Sequence, residues 1–223
     1  MKKFFLLAAA ALLTLAASAE VIPASDSRVT YVGRTQVIDS NVSFDWTATY
    51  FRIAFSGTSL TMRASDTKWD ATPEMAAKRH NYYNVWIDSP TSAEPHRIIE
   101  VAGNDTVIEL IDPAYLKKSR RSVHEVIVQK RTEGEQGKTT IHSFATDGKF
   151  FQADKLKSRQ LEFIGDSYTC GYGIDAASRT ERFSPETENA SRSYAGIVSR
   201  YFGADYVAIA HSGMGIARNY NSK

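Results

Sequence analysis

Between Arg28 and Phe151 the sequence runs in short period-two stretches, each closed by glycine, proline, asparagine or aspartate, with almost no helical spacing. Such a chain can bury its apolar faces only by stacking sheet on sheet, so this pattern constrains the fold more than any other feature. Residues 44–55 end with Phe51, Ile53 and Phe55 on one face and Arg52 and Ala54 on the other. Ser56-Gly57-Thr58 reads as a turn, and Leu60, Met62 and Ala64 align on a returning strand, which together predict a hairpin. Residues 97–101 and 106–111 flank Gly103-Asn104 and predict a second hairpin. With residues 28–38, 82–88, 122–130 and 139–145 the count comes to about eight strands, the pattern of an antiparallel sandwich, of which the jelly roll is one form.

The character changes after a charged connector at residues 155–159, the predicted domain boundary. Residues 161–164 form a short apolar run that reads as a buried strand, and Ser167 follows it by three residues, ahead of Gly171-Tyr172-Gly173. A serine at the carboxyl end of a parallel strand stands where α/β enzymes keep their chemistry. Residues 191–202 show helical spacing, with Tyr194, Ile197, Val198, Tyr201 and Phe202 on one face, a cap at Asn189 or Ser191 and a stop at Gly203. Residues 205–210 read as a second buried strand. Strand, helix, strand implies a parallel pair.

Met1-Lys2-Lys3, an apolar run from Phe4 to Leu13 and Ala17-Ser18-Ala19 have the parts of a secretory signal peptide, too short to span a bilayer. Residues 1–19 are therefore expected to direct export to the periplasm or beyond, with no membrane anchor. Loss of Lys2 and Lys3 takes Lys plus Arg from 27 to 25 against 25 Asp plus Glu, which removes the electrostatic argument for nucleic-acid binding. The lone Cys170 cannot form an internal disulfide and reads as a small buried hydrophobe. His80, His96, His124 and His142 lack metal-ligand spacing, so no metal is expected. Gly171-Tyr172-Gly173 lacks the third glycine of a dinucleotide fingerprint, so no cofactor is expected either.

Phe163-Ile164-Gly165-Asp166-Ser167 followed by Gly171-Tyr172-Gly173 resembles the first block of the SGNH, or GDSL, hydrolases, and in the form GDSYTCGYG it resembles carbohydrate esterase family two. Weaker matches run through the sandwich: Val32-Gly33-Arg34, the 55–58 turn, residues 85–88, and His124-Glu125-Val126 leading to residues 130–133. The resemblance implies two domains. Residues 20–155 form a jelly-roll-like all-β sandwich, and residues 156–223 form the first part of an α/β/α, flavodoxin-like SGNH domain. It implies Ser167 as the nucleophile, with the N–H groups of Ser167 and Gly213 as oxyanion donors and Gly215 as the neighbouring possibility for the second.

The implied activity is that of an exported serine esterase removing O-acetyl groups from acetylated polysaccharides or oligosaccharides. Two alternatives stand beside it: an SGNH lipase or thioesterase, and a sugar-binding sandwich with an inert remnant. The family's third block, with its asparagine donor, and its last block, with its general-base histidine, have no counterpart. Gly103-Asn104-Asp105 lies ahead of the nucleophile, in the sandwich. Asp166 is expected to brace the turn, and His211 to be a strand-end histidine rather than a substitute base. Without a base a serine hydroxyl is a poor nucleophile, so negligible turnover is expected of these 223 residues.

Overall fold

The computed structural model describes residues 19–68 and 72–222. The expected export segment lies, apart from Ala19, outside the described residues. Among the described residues, twelve antiparallel strands form two facing six-stranded sheets, and a two-stranded parallel sheet follows them. The first sheet holds β1 (Glu20–Pro23), β3 (Gln36–Ile38), β4 (Asn41–Phe44), β6 (Leu60–Thr67), β9 (Thr106–Glu109) and β11 (Lys138–Thr146), in the order β3-β4-β11-β6-β9 with β1 also on β11. The second holds β2 (Thr30–Val32), β5 (Tyr50–Phe55), β7 (Asn81–Ile87), β8 (Arg97–Val101), β10 (His124–Lys130) and β12 (Phe150–Phe151), in the order β12-β5-β10-β7-β8 with β2 also on β5.

Strand alternation was legible, but strand pairing was not. β5 and β6, predicted as a hairpin, lie in different sheets, and so do β8 and β9. The turn at Ser56-Gly57-Thr58 is an arch over the sandwich edge: Asp147 accepts from the Thr58 and Ser59 N–H groups at 2.7 and 3.0 Å. The stretch expected as one strand over residues 28–38 is also divided, into β2 of one sheet and β3 of the other, with Gly33 at φ +123° between them. Residues 44–55 divide likewise into β4 and β5, around Ala48 at φ +61°. An arch and a tight turn draw on the same residue types, and only burial on the partner sheet separates them.

The core between the sheets gathers Phe44, Phe51, Ile53, Phe55, Leu60, Met62, Tyr83, Val85, Val126, Val128, Ile141 and Phe144, all buried. Each such side chain contributes about 1.5–3 kcal/mol by leaving water. β5 is buried at all six positions, because the residues that alternate with its core face are also covered. Tyr50 joins a second cluster with Val32, Ala48, Ala190, Ala195, Tyr206 and Ala208, and it lies against the last two strands.

Those strands are β13 (Gln160–Gly165) and β14 (Asp205–Ala210), parallel and in register from Gln160↔Asp205 to Gly165↔Ala210. Between them come three short pieces of interest: α3 (Ser167–Cys170), a 3-10 turn at Ala190–Arg192 and α4 (Tyr194–Tyr201). Two earlier short helices, α1 (Pro73–Ala76) and α2 (Pro113–Leu116), lie in sandwich loops. β13 departs from the buried strand expected. Leu161 and Phe163 pack inward, whereas Ile164 is 80% exposed, because among the described residues only β14 flanks β13 and only one face is covered.

Helix α4 departs in the same way. Its large apolar residues Tyr194, Ile197 and Tyr201 are exposed, and Ala195, Gly196 and Ser199 are the buried face. Small residues win that face because the backbone of the preceding turn comes so close. A Cβ on Gly196 would stand 2.3 Å from Ser191 O. Asn189 caps the 3-10 turn, and Gly203, at φ +58°, follows the end of α4. Among the described residues no helix is long and apolar enough to cross a membrane.

Candidate active site

β13 and β14 end side by side, joined past their last register pair by His211 N–H donating to Gly165 O at 3.3 Å. The chain leaving β13 carries Ser167, and the chain leaving β14 carries Gly213, so both come off one carboxyl edge. Asp166 caps α3: its carboxylate accepts from Tyr168 N–H at 3.0 Å, and Ser167 is the first helical residue. Gly165 lets the helix fold back tightly, since a Cβ there would meet Thr169 Oγ1 at 2.0 Å. Gly171 ends the helix in the left-handed region, at φ +75°, with its Cβ position 2.3 Å from Asn189 O.

Ser167 is half-buried, and among the described residues nothing hydrogen-bonds to its Oγ. Its N–H and that of Gly213 likewise have no acceptor there. The adjoining N–H groups are taken: Tyr168 by Asp166, Ser212 by Glu133 Oε2 at 2.7 Å, and Met214 by His211 O at 3.3 Å. Gly213 has φ +81°, and its carbonyl accepts from Tyr220 N–H at 2.7 Å. Both donors that the resemblance implied are thus left open.

His211 turns aside. Its Nδ1–H donates to Ser212 O at 2.8 Å, and no hydrogen bond joins it to Ser167. Cys170 is buried, and burial, with Glu133 beside it, pushes its thiol far up, so it stays protonated and is no nucleophile. Its Sγ–H points at Glu133 Oε2, 3.8 Å away.

Glu133 was missed by sequence reasoning. It comes from the sandwich, just past β10, and is 1% exposed. Around it lie Glu188 and Lys130, both wholly buried. Lys130 Nζ donates to Thr132 O, Thr132 Oγ1 and Glu133 O at 2.9, 3.2 and 3.0 Å. Burial pushes its ammonium down to about 8. Burial, then the neighbouring Glu133, pushes the Glu188 carboxyl well above the usual range. Glu133, Cys170 and Glu188 bring their ligand atoms within 4.8 Å of one another, a cluster that residue spacing did not show because it is assembled from three separate segments. The only sign of it in the sequence was a run of charge, Lys130-Arg131-Thr132-Glu133, where a buried strand ends.

A second sandwich residue, Arg131, ties the polar loop to the sheet. Its guanidinium donates to Asn84 Oδ1, Asp175 Oδ2, Glu186 O and Glu188 O at 2.8, 2.8, 2.9 and 3.2 Å. The Tyr172 and Phe183 rings stack 3.6 Å apart at 9°, on a cleft of about 470 Å³ that Glu133 also lines.

Comparison with known proteins places this architecture. Residues 31–153 match the family model "Carbohydrate esterase 2 N-terminal". An acetylxylan esterase / glucomannan deacetylase of Cellvibrio japonicus is 32% identical over 184 residues, 80% of this chain and 44% of that protein. A solved family two carbohydrate esterase from Cellvibrio japonicus superposes with TM-score 0.77 at 24% identity, over 92% of this chain and 56% of that one. Another, from Clostridium thermocellum in complex with cellohexaose, gives TM-score 0.73 at 27% identity, over 86% and 54%. This chain spans about half the length of these relatives. Matched over more than half of its residues by the family model, the chain belongs to carbohydrate esterase family 2.

Proposed function

We propose that the chain carries the nucleophile and two oxyanion donors of an exported serine esterase that removes O-acetyl groups from polysaccharides of the acetylxylan or glucomannan kind. The observation that carries this reading is the pair of unclaimed N–H groups, Ser167 and Gly213, beside an unclaimed Ser167 hydroxyl on one sheet edge. Ser167 Oγ attacks the acetyl carbonyl carbon, and the two N–H groups hold the oxygen as it becomes charged. The bond from the acetyl carbon to the sugar oxygen breaks, that oxygen leaves as the alcohol with the proton given up by Ser167 Oγ, and water then releases acetic acid and regenerates the serine.

The acetylxylan esterase / glucomannan deacetylase identity of the Cellvibrio relative supports the substrate class. The stacked Tyr172–Phe183 pair beside the site supports a sugar rather than a long acyl chain, since ring faces stack on pyranose rings. The strand sets β4-β11-β6-β9 and β5-β10-β7-β8 support a jelly-roll reading of the sandwich, and the parallel pair with α4 supports the opening of a flavodoxin-like SGNH domain. Residues 1–19 would direct export.

Methylboronic acid, which mimics the tetrahedral acetyl intermediate, is expected to form an adduct with Ser167 visible by ¹¹B NMR, and Ser167→Ala to abolish it. An adduct that survives Ser167→Ala sinks the assignment. Because none of the described residues accepts a hydrogen bond from Ser167 Oγ, these 223 residues are expected to hydrolyse 4-nitrophenyl acetate only at background rate. Serine-dependent turnover would show a base in reach.

A second reading is that the cleft binds oligosaccharide without turning it over. It draws on the cellohexaose complex of the Clostridium relative. Calorimetric titration with cellohexaose tests it, and absence of heat removes it.

A further inference from the structure

We infer that Glu133, a residue of the sandwich, is the positioning residue that sets the candidate oxyanion loop against the nucleophile turn. The inference rests on the reading of Ser167 and Gly213 given above. One oxygen, Glu133 Oε2, receives both sides of the site: Ser212 N–H at 2.7 Å from the loop after β14, and Cys170 Sγ–H at 3.8 Å from α3, three residues past Ser167. The Ser212 N–H lies one peptide plane before the Gly213 N–H, whose own plane is held through Ser212 O, so Glu133 anchors the plane from which the Gly213 donor is aimed. The two carbonyls of that loop are already spent: Ser212 O on His211 Nδ1–H, and Gly213 O on Tyr220 N–H. The open Gly213 donor is what remains once Glu133 has taken its neighbour.

Glu133 is itself held at both ends of its peptide. Its N–H donates to Glu188 Oε2 at 3.2 Å, and its carbonyl accepts from Lys130 Nζ at 3.0 Å. Glu188 belongs to the polar loop after the nucleophile turn, and Lys130 is the last residue of β10. The carboxyl is thus aimed from a buried turn pinned to the end of β10 rather than from a surface loop. A buried carboxyl is costly to keep unless its oxygens are bonded, and a docking contact alone would be served by an apolar side chain. Two donors converging on one oxygen, each from a different loop of the site, give the carboxyl a use that simple docking does not.

The test compares Glu133→Gln and Glu133→Ala with the wild-type chain. Glutamine keeps an oxygen for Ser212 N–H, so its methylboronate affinity is expected within about threefold of wild type. Alanine frees the loop, and a small displacement of one donor is expected to weaken the adduct about tenfold or more. Both are read at a temperature where each variant keeps native circular dichroism.

A second measurement does not depend on the variants folding. In the wild-type chain the Ser212 amide should be protected from hydrogen exchange although its loop is half-exposed, and its proton resonance should lie downfield, as for an N–H bonded to a carboxylate. Alanine at 133 binding boronate as tightly as wild type overturns the inference, and so does a Ser212 amide exchanging at the unprotected rate. Equal loss in the glutamine and alanine variants overturns it too, because the oxygen is then not what matters. No adduct in the wild-type chain itself fells the Ser167 reading instead, and this inference with it.

Discussion

Single residues carry most of the chemistry here, and several do so against their ordinary character. Cys170 sits three residues past the candidate nucleophile, yet its depth keeps it a thiol that donates to a carboxyl. Lys130 is an ammonium without exposure, held by two carbonyls and a hydroxyl. The folded chain releases its proton near pH 8, whereas the unfolded chain keeps it to the ordinary 10.5. Between those values the unfolded state binds more protons, so stability rises with pH there and is lost as pH falls through about 8. Lys130→Met is expected to flatten that slope, measured as urea midpoints from pH 7 to 10. An unchanged slope means that Lys130 titrates normally. Neither the burial of Lys130 nor the importance of Glu133 could be read from residue type, because Lys, Arg and Glu within four residues normally read as a solvated strand end.

At the scale of elements, the shared strands decide how the parts hold together. β5 and β14 meet through Asp205, which accepts from Tyr50 Oη at 2.7 Å, from Lys157 N–H at 2.8 Å and from the Arg52 guanidinium. Burial alone would raise the Asp205 carboxyl, but hydrogen bonds from Arg52, Tyr50 and Lys157 hold it below the usual range. Asp205→Ala leaves the Arg52 guanidinium, 5% exposed, without its carboxylate and is expected to cost about 3–5 kcal/mol, read from chemical unfolding. A loss under about 1 kcal/mol would show that water reaches the guanidinium. The alternation in residues 50–55 announced this strand, and Arg52 on its second face was visible as an oddity. That the second face was covered was not visible, because its cover is supplied by residues more than a hundred positions away. The same holds for α4, where amphipathic spacing pointed to Tyr194, Ile197 and Tyr201 and the fold buried Ala195 and Ser199 instead. Spacing finds a helix, but packing distance chooses its face.

Across the whole molecule, the sandwich and the parallel pair share buried side chains, from Val32 and Tyr50 on one side to Ala195 and Tyr206 on the other. Their unfolding is therefore expected to be one transition, with fluorescence of the three tryptophans, all within residues 20–155, and hydrogen exchange of the α4 amides giving the same free energy. Separate free energies would mean that the two parts dock only loosely. The sequence by itself determined the local grammar: period-two runs make strands wherever one face can be buried, and Gly-Asp-Ser after an apolar run makes a strand-to-helix turn whose glycines admit the close contacts at Gly165 and Gly171. It also carried the family signature, which rests on chemistry that only a few residue types can do. Tertiary structure alone decided which strands pair, because a hairpin turn and an arch between sheets use the same residues. It alone decided that Glu133 meets Ser212 and Cys170, because that contact joins segments 79 and 37 residues apart, and no local pattern encodes a hydrogen bond over such separations.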